Sequence, residues 1–363
     1  MEVMSSVAKN KAFKQFEKEQ DKDFWKYHID ASLPNHTFVR RDVQPKVNRQ
    51  GTGVQTITFS LPKDGLVGKM LLKLEAVSGT VVFKANGGLN MCSEVRLANP
   101  FGIISRLYPE AVFQKIEEMQ NDSQRSMMNT LCGDNTGISY MPLLFDMFDH
   151  VNGFLDTVHD TPYWLECDFV DSTSICSTHT NPVWRASVVA EYVVLPEQER
   201  KELLKQYPLA KSIKNFNKEK PVSASAGVNN IQLRQKGLCS RMYVAIKTSN
   251  ALTYEGINSV KLVFNGRTVV NFDNLVENQF FSHNYMGVAS DVFGSSSTAI
   301  WSVNFDISSK QNGYRGGVYL NSNNNEDWRL EVNASNAGDL IIVEEMYELV
   351  RIDKQGLMKV KSV

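Results

Sequence analysis

KDGLVGKMLLKLEA, residues 63–76, is matched without a gap by QKGLCSRMYVAIKT, residues 235–248. At an offset of 172 residues Gly65 falls on Gly237, Leu66 on Leu238 and Met70 on Met242. Lys69 falls on Arg241, Leu72 on Val244 and Leu74 on Ile246. Further matches follow in the same order. Val95-Arg96-Leu97 falls on Val260-Lys261-Leu262, and Ile103-Ile104 on Val269-Val270. Trp164-Leu165-Glu166 is similar to Trp328-Arg329-Leu330-Glu331 with one residue inserted, and VVAEYVVLP (188–196) to IIVEEMYELVRI (341–352). A helical pattern occupies the same place in each copy. In the first, Pro109 suits a first turn and Val112, Ile116 and Met119 share one face; in the second, DNLVENQFF spans 273–281. Matches in order at a nearly constant offset denote two diverged copies of one module. The period is far longer than that of a solenoid repeat, so whole domains are duplicated.

Within each copy the texture is that of strands. In VQTITFSLP, Val54, Thr56 and Thr58 alternate with Gln55, Ile57 and Phe59, and Pro62-Lys63-Asp64-Gly65 supplies a turn. MLLKLEAV and TVVFKA follow, separated by Ser78-Gly79; Gly87-Gly88 and Asn99-Pro100-Phe101-Gly102 punctuate what comes next. The second copy predicts strands over 242–248, 258–264, 267–272, 299–307, 316–320, 327–334 and 339–351. Short strands spaced about 8–12 residues apart predict an all-β sandwich or jelly roll. Residues 121–162 are polar and Met-rich and read as an irregular excursion. EQERKELLKQY after Pro196 predicts a helix with Leu203 and Leu204 as its apolar contacts, and residues 211–229 read as a linker. In the last strand Ile341, Val343 and Tyr347 are set against Glu344, Met346 and Glu348.

The chain of 363 residues is long enough for two domains, each with its own core. A net charge of −1 gives no basic field for nucleic acid. No apolar run approaches the ~20 residues that span a bilayer, and the N-terminus lacks the apolar core of a secretory signal. Five cysteines, Cys92, Cys132, Cys167, Cys176 and Cys239, are an odd number without tight pairing, which predicts reduced thiols in a cytoplasmic setting. Residues 1–30 stand apart: Lys9, Lys11, Lys14, Lys18, Lys22 and Lys26 alternate with acids, with Phe13, Phe16, Phe24 and Trp25 interspersed. They predict a helical arm, either a solvated terminus or one that engages a neighbour or a membrane surface.

Chemistry is sparse. Cys167, Cys176 and His179 invite a zinc reading, but their spacing is not that of a ligand set and no fourth ligand is near, so structural thiols are the plainer reading. Asp146, Asp149, His150, His159 and Asp160 form an acidic, histidine-bearing cluster, read as a solvated loop rather than a metal or general-base site. No phosphate-binding glycine loop, nucleophile elbow or HExxH motif occurs. Asn35, Asn121 and Asn333 open glycosylation patterns of a kind common by chance. No catalytic, cofactor-binding or metal residue is assigned, and no cofactor is expected.

The repeated segments, the matching helices and the N-terminal arm together resemble the double jelly-roll major capsid proteins of tailless icosahedral DNA viruses, over about residues 50–352. The resemblance implies an all-β fold of two tandem eight-stranded jelly rolls. It divides the chain into an N-terminal arm (1–48), a first jelly roll (49–197), a helical linker (198–229), a second jelly roll (230–353) and a C-terminal tail (354–363). It implies a structural, non-enzymatic protein of bacteriophage-like size, forming homotrimeric pseudo-hexameric capsomers in the virion after assembly in the host cytoplasm. Implied partners are neighbouring capsomers, penton and minor capsid proteins and an internal membrane reached through residues 1–30, with no sequence-specific nucleic-acid binding. Two rivals share the architecture. A double jelly-roll amidase acting on glycoproteins would use acids such as Glu166, Asp168 and Glu331, and a carbohydrate- or receptor-binding spike would need an exposed aromatic platform.

Overall fold

The computed structural model describes residues 37–46, 48–63, 65–117, 122–133, 136–149, 155–157, 161–194, 196–198, 201, 209–247, 254, 256–284, 300–305, 316–321, 327–353 and 356–359. In chain order the first strands are β1 (Thr37–Val43), β2 (Gln55–Ser60), β3 (Gly65–Phe83), β4 (Cys92–Asn99) and β5 (Gly102–Leu107). Next come helices α1 (Pro109–Glu117) and α2 (Asp122–Cys132), β6 (Ile138–Pro142), α3 (Asp146–Asp149), β7 (Leu155–Asp156), β8 (Trp164–Phe169), α4 (Ser172–Ile175) and β9 (Cys176–Val194). The second series is β10 (Leu209–Lys218), β11 (Val222–Ala224), β12 (Gly227–Gln232), β13 (Lys236–Lys247), β14 (Ile257–Phe264) and β15 (Arg267–Phe272). It ends with α5 (Leu275–Asn284), β16 (Trp301–Asn304), β17 (Val318–Asn321), β18 (Trp328–Ala334), β19 (Gly338–Asp353) and β20 (Gly356–Lys359).

Among the described residues the strands form four sheets in two matching pairs. One sheet runs β1-β9-β3, with β6 and β7 both on β3; its counterpart runs β10-β19-β13, with β16 and β17 both on β13. The second sheet runs β2-β8-β4-β5, and its counterpart β12-β18-β14-β15. Strands distant in sequence lie side by side in antiparallel register, such as Leu72 with Val188 and Val244 with Ile342. Two such sheets make a jelly roll. The chain divides into two compact units, one of residues 37–112, 127–215 and 348–359, the other of 113–126 and 216–347.

The positions that repeat in sequence are core positions. Met70, Leu72, Leu74, Val95, Leu97 and Leu165 are buried in the first series, and Met242, Val244, Ile246, Val260, Leu262 and Leu330 in the second. Each such side chain stabilises the fold by about 1.5–3 kcal/mol on burial, so drift there is confined to other apolar residues. The repeated glycines serve different ends. A Cβ at Gly65 would overlap the Val193 carbonyl oxygen, whereas one at Gly237, with φ +146°, would meet only the Met346 side chain at 4.0 Å.

Several expectations shift. MLLKLEAV and TVVFKA belong to one strand, β3, whose register against β9 slips around Ser78. Gly79, with φ +83°, lets the strand bulge there without breaking. The excursion 121–162 contains α2, β6, α3 and β7. β1 lies within the segment assigned to the arm, and β10 and β11 within the segment assigned to the helical linker. Asn215 of β10, fully buried, accepts from the Ser105 hydroxyl at 3.3 Å and the Arg106 N–H at 2.7 Å and donates to Glu348 at 2.9 Å. Residues 1–36 and most of the helix expected after Pro196 lie outside the described residues; within it Glu197 and Lys201 pair at 2.7 Å, one turn apart. Among the described residues no helix is long and apolar enough to cross a membrane.

Candidate functional site

β8 alternates strictly and β4 does so from Glu94 to Leu97, so Val95, Leu97, Leu165, Cys167 and Phe169 are buried while Arg96, Glu166 and Asp168 share the outer face. Arg96 stands opposite Glu166 in register and donates from Nε to it at 3.0 Å. Its Nη1 and Nη2 grip Asp168 at 2.7 and 2.9 Å, and Nη1 also reaches Glu94 at 3.1 Å. Glu94 takes a further bond from Arg106 at 3.0 Å and one from the Tyr108 hydroxyl at 3.3 Å. The Thr56 hydroxyl donates to Asp168 at 2.7 Å, and the Trp164 indole to Glu166 at 2.8 Å. Burial alone would lower the Arg96 guanidinium, but Asp168, Glu94 and Glu166 outweigh it and hold it above its ordinary value. Tyr108 is pushed up to about 12 by burial and by Glu94.

The second series repeats the centre of this network. Lys261 of β14 stands opposite Glu331 of β18 and donates to it at 2.9 Å. The register also corrects one repeat match. Leu165 corresponds to Leu330 and Glu166 to Glu331, which places Trp164 against Arg329, not against Trp328. A one-residue slip turns a side chain to the other face of a strand. Trp328 is accordingly buried, 4.3 Å from the Phe264 ring, while Trp164 lies half-buried on the outside.

The acids considered for amidase chemistry are thus each engaged by a cation, Glu166 and Asp168 by Arg96 and Glu331 by Lys261. Their partners are the middle residues of the two matched triplets, a signal present in the sequence and assigned there only to the repeat. Cys167 is buried with Cys92, Cys176 packs near Arg49, and His179 Nε2 lies 3.0 Å from the Ser172 hydroxyl. All five cysteines are buried thiols; burial pushes Cys176 up to about 11 and Cys132 up to about 12. Asp146 accepts the Lys214 N–H at 2.9 Å, whereas His150, His159 and Asp160 lie outside the described residues. Among the described residues no group of three or more His, Cys, Asp or Glu is placed to hold a metal. Asn333 lies in β18, paired on both sides, and Asn35 and Asn121 lie outside the described residues.

The two helices at matching places differ in exposure. Ala111, Val112, Phe113 and Ile116 of α1 are all buried. α5 starts with Asn274 accepting the Glu277 N–H at 2.9 Å, a cap of the usual kind. It is held to β16 by Asn278, which bonds both the carbonyl and the N–H of Ser302. Yet it leaves Val276 61% and Phe281 49% exposed, and Val269 of β15 is 47% exposed. Phe281 stacks on Phe272 at 6.4 Å.

No family model and no curated protein matches the sequence. Solved structures do. PBCV-1 VP54, fitted into a reconstruction of the virophage Sputnik, aligns with a TM-score of 0.72 at 12% identity, covering 91% of this chain and 98% of VP54. The chain has the double jelly-roll fold of viral major capsid proteins. The Faustovirus major capsid protein aligns with a TM-score of 0.65 at 9% identity over 86% of this chain and 90% of its own. A chain of Sulfolobus Turreted Icosahedral Virus aligns at 0.52 with 12% identity, over 85% and 90%. All-β architecture and tandem jelly rolls, expected from the repeat, are the observed double jelly-roll fold.

Proposed function

We propose that the chain is the structural major capsid protein of an icosahedral virus and assembles as homotrimeric, pseudo-hexameric capsomers. The observation that carries this reading is the duplication itself: two complete jelly rolls of one topology, aligned along 91% of the chain with VP54. A trimer of such chains presents six similar modules and so fits sixfold lattice positions with one set of contacts. The exposed Val276 and Phe281 of α5 supply apolar surface for self-association. The ion-paired state of Glu166, Asp168 and Glu331 weighs against the amidase reading, since a catalytic acid must be able to reach a substrate.

In this reading the protein resides in the virion after assembly in the host cytoplasm, next to penton and minor capsid proteins. Residues 1–30 engage neighbouring capsomers or an internal membrane through Phe13, Phe16, Phe24 and Trp25. Val276→Asp with Phe281→Asp tests this surface: the double variant stays folded by circular dichroism and loses the trimer in native mass measurements. A trimer of undiminished stability would refute the role given to α5.

A further inference from the structure

Glu344 lies in β19 among the core residues Leu340, Ile342 and Met346 and opposite Met242, a core residue of β13. The sequence alternation predicted an outward side chain; instead it is fully buried, and neither carboxyl oxygen has a hydrogen-bond partner. The acid that acts on it is Glu219, the residue that follows β10, itself 6% exposed. The Glu219 N–H donates to the Ile342 carbonyl at 2.9 Å, which sets it two residues from Glu344 along the same strand. Its Oε1 accepts the N–H groups of both Arg234 and Gln235. That oxygen is thereby engaged as an acceptor by the backbone.

Among the described residues the groups that act on the Glu344 carboxyl include no cation. Besides Glu219, the Cys239 thiol of β13 lies within electrostatic reach of Glu344. Glu345 serves the other face of β19, where the Ser240 and Tyr243 hydroxyls donate to it and Arg241 bonds Tyr243. The opposing sheet contributes the core residues Leu330, Val332 and Trp328, while Lys218, Lys220 and Arg234, close to the pair in sequence, are half-buried or exposed. Burial and Glu219 push the Glu344 carboxyl well above the usual carboxylate range. With no third acid, His or Cys placed for a metal among the described residues, a proton is the counter-ion the site fits.

We propose that Glu344 and Glu219 form a proton-operated latch. With Glu344 protonated, its hydroxyl donates to the Glu219 carboxylate and ties β19 to the segment that leads from β10 into β11. Loss of that proton to solvent base leaves two carboxylates facing each other beside the core, and the segment is released. The sign follows from linkage: the folded state holds this proton more tightly than the unfolded chain. The contribution is full at acid pH, below the ordinary glutamate value, and is lost as pH rises through the folded value. A capsomer carrying this latch is loosened from the alkaline side.

The test is thermal unfolding of the full chain from about pH 5 to about pH 9, as wild type, Glu344→Gln and Glu219→Gln. Relative to Glu344→Gln, the unfolding constant of the wild type rises by up to about tenfold per pH unit within the window where Glu344 titrates. Glu219→Gln keeps an acceptor for the two N–H groups and offers a donor to Glu344, so its pH dependence shrinks. Parallel wild-type and Glu344→Gln curves would overturn the proposal. So would stabilisation of the wild type, but not of Glu344→Gln, by added calcium at alkaline pH, which would make the counter-ion a metal. Should Glu344→Gln fail to fold, Glu344→Leu gives the same comparison without a titrating group.

Discussion

Replacing Arg96 by methionine keeps an unbranched side chain on the outer face of β4 and removes the one cation that joins three carboxylates. Four bonds between 2.7 and 3.1 Å are lost, two of them a fork on Asp168. Glu94 retains Arg106 and Tyr108, Asp168 retains Thr56 and Glu166 retains Trp164, so each acid keeps one neutral donor or a second cation. The side chains are 17–30% exposed, between the fully exposed pair that contributes about 0–1 kcal/mol and the buried pair whose breakage costs about 3–5 kcal/mol. A loss of about 2–3 kcal/mol follows. At roughly 2–4 °C per kcal/mol for a unit of this size, the melting temperature falls by about 5–10 °C.

The duplicated module provides its own control. Lys261→Met removes a single bond between side chains 37% and 24% exposed, and its cost stays within about 1 kcal/mol. Urea titration, which leaves ionic strength unchanged, followed by tryptophan fluorescence and far-ultraviolet circular dichroism measures both variants. Trp164 donates to Glu166 and reports on the first network directly. Equal losses for Arg96→Met and Lys261→Met would mean that fork geometry and burial count for nothing.

Other perturbations test the core and the backbone. Gly65→Ala drives a methyl group into the Val193 carbonyl oxygen and lowers stability by about 1–3 kcal/mol or prevents folding; a neutral melting temperature would contradict that close approach. Leu330→Ala, at a fully buried position, costs about 2–5 kcal/mol by urea titration. The five buried thiols do not react with an aromatic disulfide reagent at mildly alkaline pH in the native protein and all react once it is unfolded. A fast-reacting thiol in the native state would show that one of them is open to solvent.

Much of this architecture was legible because duplication left its marks at buried positions. Met70 and Met242, or Leu97 and Leu262, match since both lie in cores that accept only apolar replacements. Strands β13 to β19 and helix α1 are readable from alternation and from a 3.6-residue period. β1 and β10 are not, because each reads as polar and irregular by itself and becomes a strand only by pairing at a sheet edge, β1 with β9 and β10 with β19. The Trp164–Trp328 match misled for a related reason: a conspicuous residue type aligned while the faces of the two strands did not.

The outer-face network was half visible. In the sequence Glu166, Asp168 and Glu331 stand out as strand acids, and Arg96 and Lys261 as repeat positions. Only the register brings each acid opposite its cation. Glu344 was beyond reach, because alternation along the last strand presumes one wet face. β19 is instead buried on both faces from Leu340 to Tyr347, so polarity no longer tells inside from outside.

Native mass measurement of the purified chain, with negative-stain imaging of the same sample, tests the capsid reading most directly. Homotrimers with a pseudo-hexagonal outline are the expected result. A strictly monomeric protein at high concentration would contradict it.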